Sequence, residues 1–591
     1  MKLLKLKIEN EEGFRSLQKG FEINFHTLAD TEAMEQFRPF CFAGLNGSGK
    51  SNVLEALASI FYHLELCVAK YLPDSIKDPD NFKRTECTPD AFTLEYLIGQ
   101  HNRKYYALHY FDKIVITKKQ GEEPGIKVYG YPFIEDNIII PNSETSKEDI
   151  KKGFINSSGK IIEPRDKMYL PAHIVGYSSG ENEILSLPFI KSRLIHLDEY
   201  KQATKNEHPS FDEPENSLIY IDNNMSQAVL LACLLFEDEK TLAPLMHIDN
   251  TGILGLQSFR INLHLQHEFK FVNAKTNEPF SVPILKLLEL NQLDVLKKCA
   301  TSWFLDNITN TLWLDFYVND ATKAAFREHF HKNSLECFQF FRLLYELNNY
   351  FVDERTKTDV YRSKGVYTDG KLPTPSPSQD VFHFLDFYIT KELKTGEVKD
   401  LLLRSFSDGE HQFIHTMGIC LLLKDRRSIL LLDEPETHFN PSWRAKFVKI
   451  LNDSITAGNK RDMPNGSFNV HLLKDVLLTS HSPFIISDCL PDNVLLFEKD
   501  ENGDTTAKKV SELENSFNTY GTSIELITDK LFNYRQSIGD LANSEFEKID
   551  YSNLDSQEKV EFEKQKLMKL GESIEKDMVL AKLNGISMNN H

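Results

Sequence analysis

The sequence lacks paired cysteines, long apolar runs and an excess of positive charge, and each absence excludes a class of protein. Its eight cysteines are scattered without a Cys-x-x-Cys pair, so neither a structural zinc site nor a disulfide framework is expected. No apolar stretch reaches the length of a membrane span, and Lys5 and Lys7 interrupt an N-terminal segment that a signal peptide would leave apolar. We therefore expect a cytoplasmic protein without a membrane partner.

The chain is acidic overall, which excludes a protein whose whole surface binds nucleic acid. Its 591 residues include 87 Asp and Glu against 68 Lys and Arg, which gives a net charge of −19. Any DNA site must therefore be a local basic patch that works against the net field. The candidate patches are small, dispersed pairs, and solvated faces explain them better: Lys118-Lys119, Lys151-Lys152 and Arg426-Arg427.

Changes in the hydrophobic pattern divide the chain into four predicted parts. Period-two alternation and apolar runs indicate strands in residues 1–185, around a glycine-rich loop. Residues 186–380 show mostly helical spacing and end in a Pro/Ser-rich segment, which predicts a mostly helical insertion. Strand and helix signals return in residues 381–505, and residues 506–591 are predicted to form a charged helical tail.

The glycine-rich loop has the pattern of a phosphate-binding loop. Residues 44–51 read GLNGSGKS and match GxxxxGK[ST], between the apolar run PFCF and a segment with helical spacing. Glycines let backbone N–H groups turn toward phosphate oxygens, Lys50 adds a positive charge, and Ser51 can bind Mg²⁺. The loop therefore predicts a nucleotide site, with an anion-binding turn that holds no nucleotide as the alternative.

A second apolar run ends in two acidic residues. Residues 428–435 read SILLLDEP, and such a continuous run is typical of a strand buried on both faces. Acids at the carboxyl end of a strand lie where ligands bind in open α/β sheets. Asp433 is therefore predicted to hold Mg²⁺ and Glu434 to polarise the attacking water. The alternative is a pair of surface acids after a core strand.

Two further segments suit a nucleotide that is shared between subunits. Residues 405–412, SFSDGEHQ, place Ser407 and Gly409 at a predicted helix start, where a hydroxyl and free N–H groups form a second anion site. One nucleotide does not need two such sites from one subunit, so each is predicted to face the loop of another copy. Residues 475–485, DVLLTSHSPFI, predict an apolar strand from Val476 to Leu478 that ends in Thr479, Ser480 and His481. His481 at this strand end can contact the γ-phosphate, although a structural histidine is the common alternative.

These motifs together resemble the ATP-binding-cassette (ABC) ATPases of the SMC, RecF and OLD group. The signature departs from the group's S-G-G-[QE] because Asp408 replaces the first glycine. The resemblance implies an α/β fold, an ABC-type P-loop ATPase head with a mixed sheet and flanking helices, that uses ATP and Mg²⁺. The implied roles are ATP contacts from Arg15, Asn46, Gly47, Ser48, Gly49, Lys50, Ser51 and Asn52, Mg²⁺ binding by Ser51 and Asp433, catalysis by Glu434 and His481, signature contacts in trans from Ser407, Gly409 and Glu410, a D-loop at Asn440, and a Q-loop substitute at Glu181 or Asn182.

The size of the cassette and its insertion also resemble the ATPase subunit of Septu-type anti-phage systems and related restriction-associated ATPases. In that family the cassette protein works with a separate HNH nuclease. The resemblance implies a head-to-tail homodimer, or a higher oligomer of dimers, that controls such a nuclease and reaches DNA or another nucleic acid through the complex. The alternative is a RecF- or SMC-like repair or maintenance ATPase that binds DNA directly.

Nuclease activity in this chain itself is not expected. A Toprim domain needs a Glu and a D-x-D pair near apolar strands. Glu498, Asp500 and Asp504 lie close in sequence but at the wrong spacing, and they fit a strand followed by an acidic hairpin turn. Four apolar residues of the tail recur at helix-compatible spacing, as a stripe expected to pack on the parent domain or to dock a partner: Leu567, Leu570, Ile574 and Met578.

Overall fold

A computed structural model of the chain divides it into two units, Met1–Tyr520 and Gly521–His591. The residues that the structure describes are 1–69, 72–99, 108–133, 155–156, 164–179, 183–205, 217–222, 225–273, 275–289, 292–365, 372–373, 376, 378–424, 426–457, 470–535, 537–554 and 556–589. In these ranges, no helix is both long enough and apolar enough to cross a membrane.

The strands and helices are numbered here in chain order. The strands are β1 (Lys2–Ile8), β2 (Glu22–Asn24), β3 (Phe40–Gly44), β4 (Phe92–Gly99), β5 (Phe111–Lys118), β6 (Gly125–Tyr129), β7 (Ile155–Asn156), β8 (His173–Ser178), β9 (Leu218–Tyr220), β10 (Ile253–His264), β11 (Glu268–Val272), β12 (Pro279–Pro283), β13 (Ser302–Asp306), β14 (Thr311–Tyr317), β15 (Phe382–Glu392), β16 (Val398–Leu402), β17 (Ser428–Asp433), β18 (Lys474–Thr479), β19 (Val494–Lys499) and β20 (Thr505–Lys509). The helices are α1 (Thr31–Met34), α2 (Lys50–Val68), α3 (Asp74–Lys77), α4 (Glu183–Thr204), α5 (Ser226–Phe236), α6 (Glu239–Met246), α7 (Lys286–Glu289), α8 (Gln292–Cys299), α9 (Asp320–His329), α10 (Ser334–Leu347), α11 (Glu354–Arg362), α12 (Asp408–Leu422), α13 (Pro441–Thr456), α14 (Pro483–Ser487), α15 (Ile524–Phe532), α16 (Asp540–Glu547), α17 (Gln557–Leu567) and α18 (Ile574–Asn589).

Seven strands form a central sheet in the order β20-β19-β3-β18-β17-β8-β9. Neighbouring strands run parallel except β20, which returns antiparallel to β19. Every residue of β17 and of β18 is buried, as expected for parallel strands that are covered on both faces. The predicted buried strand that ends at Asp433 is therefore confirmed.

Helix α2 follows the glycine loop and packs under the central sheet. Its residues Val53 and Leu57 share one core with Ile429 and Leu431 of β17. Because alternate strand residues point to opposite faces, Leu430 turns to the other side of the sheet, where it is also fully buried. The glycine loop between β3 and α2 therefore lies at the carboxyl edge of the parallel strands. The predicted α/β class, a P-loop head with flanking helices, is confirmed.

A second sheet, in the order β2-β1-β4-β5-β6-β7, lies beside the central one. Strand β1 pairs antiparallel with β2. A buried ion cluster joins the two sheets: Lys2 Nζ lies 3.2 Å and His26 Nε2 lies 2.9 Å from the Asp475 carboxylate. Burial alone would raise the pKa of Asp475, but the charges of Lys2 and His26 outweigh it and lower that pKa to about 2.

The segment 186–380 contains strands that the sequence analysis did not predict. An antiparallel sheet runs in the order β13-β14-β10-β15-β16, and β11 pairs with β12 as a separate hairpin. Its core is aromatic, since Phe259 stacks on Phe316 with ring centroids 4.3 Å apart. Because β10 pairs with β15, this sheet crosses the predicted boundary after residue 380. The described part of this segment has more helical than strand residues, as predicted, but its strands were missed because their pairing partners lie far apart in sequence, where local periodicity does not detect them.

The unit Gly521–His591 contains helices α15 to α18. It begins later than the predicted tail because residues 505–509 form β20 of the central sheet. The predicted apolar stripe is split, since the chain between α17 and α18 is not helical. Leu567 is buried in this unit's own core, whereas Ile574 and Met578 are 61% and 60% exposed. The stripe is therefore not continuous.

We predict that Gly418→Ala lowers the thermal unfolding midpoint. A Cβ at Gly418 in α12 would lie 2.4 Å from Cγ1 of the fully buried Val229 in α5. Overpacking of this kind costs about 1–3 kcal/mol, which exceeds the roughly 1 kcal/mol that alanine gains in helix propensity. Thermal unfolding followed by circular dichroism measures the shift.

The control is Gly255→Ala, where an added Cβ meets nothing within 4 Å. The double variant Gly418→Ala/Val229→Ala should unfold at a higher temperature than the sum of the two single effects predicts. Alanine at position 229 lacks the Cγ1 atom that the added Cβ would meet. Strict additivity would contradict close α5–α12 packing at this point.

Candidate functional site

The glycine loop is shaped by two positions where a side chain does not fit. Gly44 and Gly49 have φ of 143° and 101°, in the range that glycine tolerates. A Cβ at Gly44 would lie 2.3 Å from the carbonyl oxygen of Phe497, and one at Gly49 would lie 2.6 Å from Oγ of Ser16. The backbone of the loop is therefore held against β19 and against the turn that follows β1.

Two polar side chains inside the loop fit a phosphate ligand. The buried ammonium of Lys50 donates to the carbonyl oxygens of Gly44 and Leu45 at 2.9 and 3.0 Å. Burial lowers the pKa of Lys50, whereas the nearby carboxylates of Glu434 and Asp433 act to raise it. Oγ of Ser48 is buried and finds no hydrogen-bond partner among the described residues. An anion in the loop would satisfy that hydroxyl and the ammonium together.

The carboxylate of Asp433 joins the three elements that meet at this edge. Its Oδ1 accepts hydrogen bonds from Ser51 Oγ at 2.8 Å and from Thr479 Oγ1 at 2.7 Å. Ser51 lies in the first turn of α2, Asp433 ends β17, and Thr479 ends β18. A serine hydroxyl beside a carboxylate supplies the oxygen ligands that Mg²⁺ prefers. The structure thus brings together the two residues that the sequence predicts as metal ligands.

Glu434 has a strained backbone, with φ of 48°. A left-handed conformation costs a residue with a side chain about 1 kcal/mol or more. Thr479 helps to hold it, because its Oγ1 accepts the backbone N–H of Glu434 at 2.9 Å. The half-exposed Glu434 carboxylate then lies 3.4 Å from Nε2 of His481, and that contact lowers the pKa of Glu434. The two predicted catalytic residues are therefore neighbours.

Glu436 is an acidic residue of this edge that the sequence analysis did not single out. It is buried, its Oε1 accepts a hydrogen bond from Ser480 Oγ, and its Oε2 has no partner among the described residues. Burial raises the pKa of Glu436 to about 7. Ser480 Oγ also accepts the backbone N–H of Ser482, so this acid is tied to the chain on either side of His481. The available signal was a third acid at the same strand end.

The predicted signature residues form the exposed start of α12. Ser407 caps the helix in a reciprocal capping box with Glu410, whose carboxylate also pairs with Lys391. A Cβ at Gly409 would lie 2.9 Å from the carbonyl oxygen of His438, so α12 starts close to the loop after β17. Asn440 caps α13 by accepting the N–H of Trp443 at 3.0 Å. Their roles toward a second subunit stay predictions.

Arg15 contacts α2 rather than the glycine loop. The guanidinium of Arg15 pairs with Glu55 of α2 at 2.8 Å and donates to the carbonyl oxygen of Lys364. The next residue, Ser16, is the one that meets the loop, since its Oγ accepts from Asn52 Nδ2 at 2.7 Å. A role for Arg15 as an ATP ligand stays a prediction. Glu181 and Asn182 lie outside the described residues, as does the pair Lys151-Lys152.

The other predicted clusters serve structural purposes. Lys118 is fully buried and pairs with Asp90 at 2.7 Å, and Arg427 is buried and donates to the carbonyl oxygen of Gly99. The interpretation as a solvated face was therefore wrong for these two residues, whereas their neighbours Lys119 and Arg426 are exposed, as expected. Asp500 and Asp504 form the turn of the β19–β20 hairpin, as predicted. Within the described part of the chain, no three acidic, histidine or cysteine side chains are grouped to hold a metal ion.

Comparison with known proteins supports an ATPase. Residues 313–487 match the family described as "AAA domain, putative AbiEii toxin, Type IV TA system". The match covers less than half of the chain and includes β17, β18 and His481 but not the glycine loop. A search of curated proteins found no match.

Among solved structures, the chain is similar to heads of SMC proteins. An SMC head bound to the C-terminal winged-helix domain of ScpA has a TM-score of 0.33 and 9% identity, over 86% of this chain and 98% of that one. The SMC head domain from Thermotoga maritima has a TM-score of 0.30 and 10% identity, over 86% and 99%. An SMC head with an extended coiled coil, bound to the C-terminal domain of ScpA and derived from Pyrococcus furiosus, has a TM-score of 0.30 and 11% identity, over 86% and 96%. TM-scores this low do not carry a fold assignment, which rests instead on the strand order and loop geometry described above.

We predict that Glu436→Gln stabilises the protein at alkaline pH. The ordinary carboxyl pKa of 4.5 is raised to about 7 in the folded chain, so the folded state keeps a proton that the unfolded state releases between those values. Stability contributed by Glu436 therefore falls as pH rises through this window and is lowest above pH 7. Glutamine cannot ionise and still accepts the Ser480 hydrogen bond.

Thermal midpoints of the two proteins should coincide near pH 5 and should differ increasingly up to pH 8, with the variant higher. The matched control is Glu498→Gln, at an exposed position of β19. If the thermal midpoints of variant and wild type differed by the same amount at every pH, the pKa of Glu436 would not be raised in the folded protein.

Proposed function

We propose that the chain is an ABC-type ATPase that binds and hydrolyses ATP with Mg²⁺. The observation that carries the proposal is the shared carboxylate of Asp433, which meets the hydroxyl of Ser51 in the glycine loop and that of Thr479 beside His481. These contacts bring the phosphate-binding loop, the acidic strand end and the histidine strand end to one edge of the sheet. The family match over residues 313–487 supports the same class of activity.

Each residue of this edge has a chemical task in the proposal. Lys50 and the N–H groups of the loop bind the phosphates, while Ser51 and Asp433 hold Mg²⁺, which neutralises phosphate charge when bound. Glu434 orients the attacking water and accepts its proton, since its lowered pKa keeps the carboxylate ionised. His481, at 3.4 Å from Glu434, contacts the γ-phosphate and responds to its loss.

The active form proposed is a head-to-tail homodimer. The exposed start of α12 carries Ser407, whose hydroxyl bonds to Glu410 within the chain, and the first N–H groups of a helix, a combination that suits a phosphate. The protein's own glycine loop already supplies such groups to one triphosphate, so Ser407, Gly409 and Glu410 act on the nucleotide of the second copy. Binding of two ATP molecules then closes the dimer and hydrolysis opens it.

We further propose that this ATP-driven switch acts in anti-phage defence and controls a separate HNH nuclease. The Septu-like combination of motifs favours this role, and the description of the matching family names a putative AbiEii toxin and a type IV TA system. In this proposal the separate nuclease supplies the cleavage, since the acids after β19 form a hairpin turn rather than the Glu and D-x-D arrangement of a Toprim site.

The alternative of a repair ATPase that clamps DNA directly is less well supported. Lys118 and Arg427, from two of the candidate basic pairs, are buried and hydrogen-bonded within the chain. Direct DNA binding would need basic residues on an accessible surface. No specific observation therefore favours this second function.

We predict that two inactive variants restore each other's ATPase activity when mixed. In a head-to-tail dimer of Lys50→Ala with Ser407→Arg, one site carries both defects and the other carries none. Random pairing should therefore return about a quarter of wild-type activity per chain. Steady-state phosphate release from the mixture, compared with each variant alone, measures the recovery.

The matched control mixes Lys50→Ala with Glu434→Gln. The glycine loop and Glu434 serve the same site from one chain, so every site in this mixed dimer is defective and no activity should return. Failure of the first mixture to recover, with both variants folded and dimerising in ATP, would contradict the head-to-tail arrangement.

We predict that the protein co-purifies with an HNH nuclease encoded next to it. Tagged wild-type protein should retain this partner at moderate salt, and the hydrolysis-deficient Glu434→Gln should change the nuclease activity of the complex in ATP. Mass spectrometry of the purified complex and cleavage of plasmid DNA measure the two effects. A chain that purifies alone and binds DNA in a strongly salt-dependent manner would instead support the repair function.

A further inference from the structure

Among the strands that the structure describes, β13 is an edge strand without the protection that edge strands usually carry. It ends the order β13-β14-β10-β15-β16, so one side of its backbone faces away from the sheet. Its sequence, SWFLD, has three consecutive apolar residues that are each exposed by 40% or more, namely Trp303, Phe304 and Leu305. By contrast, the edge strands β16 and β20 each contain two charged residues. Natural edge strands are normally blunted by charge, proline or short length.

The core of this sheet opens at β13. Trp303 pairs with Leu314 and Leu305 pairs with Leu312, so these two β13 residues lie on the same face as two buried leucines. Trp303 and Leu305 therefore lie at the outer edge of this apolar face and are half exposed. A further strand beside β13 would bury Trp303 and Leu305 and would extend the existing core.

The opposite face of β13 carries an aromatic pair. Phe304 stacks on Trp313 with ring planes 3° apart and centroids at 6.0 Å, and it is 53% exposed. An aromatic residue across from Phe304 on an added strand would extend this stack, as aromatic cross-strand pairs do. Both faces of β13 therefore expose apolar side chains that a paired strand would bury.

We propose that β13 pairs antiparallel with β13 of a second copy of the chain. A two-fold axis perpendicular to the sheet places each residue opposite one on the same face, and centring it at Phe304 pairs all five residues of the strand. Phe304 then meets its own counterpart, and Trp303 meets Leu305. The one charged residue, Asp306, meets Ser302 rather than a second Asp306. The strand is thus complementary to itself in both shape and charge.

This interface is separate from the proposed ATP-dependent dimer contact, and its formation does not depend on ATPase activity. It uses a sheet edge of the segment 253–402, whereas the ATP-dependent contact uses the glycine loop and the start of α12. A chain with two symmetric interfaces assembles beyond the dimer when both are engaged. Without nucleotide, only the β13 contact should hold two copies together.

The test compares Phe304→Lys with the matched control Phe562→Lys by sedimentation velocity without nucleotide. Phe562 is 59% exposed, in a helix of the other unit, so the chemical change and exposure are the same. Wild type and the control should sediment as dimers, and the fraction of dimer should rise with protein concentration. Phe304→Lys should sediment as a monomer, with dimerisation weakened at least about tenfold because two lysines face each other. Its thermal midpoint should match that of the control.

A charge-swap experiment fixes the register. Phe304→Glu alone should also be monomeric, and an equimolar mixture with Phe304→Lys should recover the dimer, since each lysine then faces a glutamate. Three results would each overturn the proposal. The wild type could stay monomeric without nucleotide at the highest concentration reached, Phe304→Lys could dimerise as strongly as wild type, or the mixture could stay monomeric. None of these outcomes bears on ATP hydrolysis, which is measured separately.

Discussion

The candidate site depends on a single carboxylate, that of Asp433, which accepts hydrogen bonds from Ser51 and Thr479. Ser51 lies in the first turn of α2, directly after the glycine loop, and Thr479 ends β18, so the contact fixes the loop, β17 and β18 relative to one another. The same Thr479 hydroxyl accepts the backbone N–H of Glu434 and supports its left-handed conformation. Loss of this carboxylate would therefore disturb the loop, the strained residue and the position of His481 together.

The two acids Glu434 and Glu436 at this edge have pKa values shifted in opposite directions, because they differ in burial. Glu434 is half exposed and its pKa is lowered by contact with His481, so it stays ionised and available to a water molecule. Glu436 is buried two residues later, and its pKa is raised to about 7. Neighbouring acids with opposite shifts are a common sign of a functional site, because each environment favours a different protonation state. Only one of the two faces solvent.

The fold presents separate surfaces for its two proposed contacts between copies. The start of α12 is polar and exposed, and the proposal places an anionic ligand between subunits there. The edge of β13 is apolar on both faces and suits a strand. A contact completed by ATP is reversible with hydrolysis, whereas burial of aromatic side chains does not depend on nucleotide.

The sequence alone determined the local features: the glycine loop, the buried strands that end at Asp433 and Thr479, and the cap at Ser407. These follow from neighbouring residues, since periodicity and capping act over a few positions. It could not determine which distant segments pair, and so it missed the sheet of β10, β14 and β15, the boundary after β20 and the burial of Lys118, Arg427 and Glu436. Tertiary structure decided these, because burial and strand pairing depend on chain segments that local patterns do not connect.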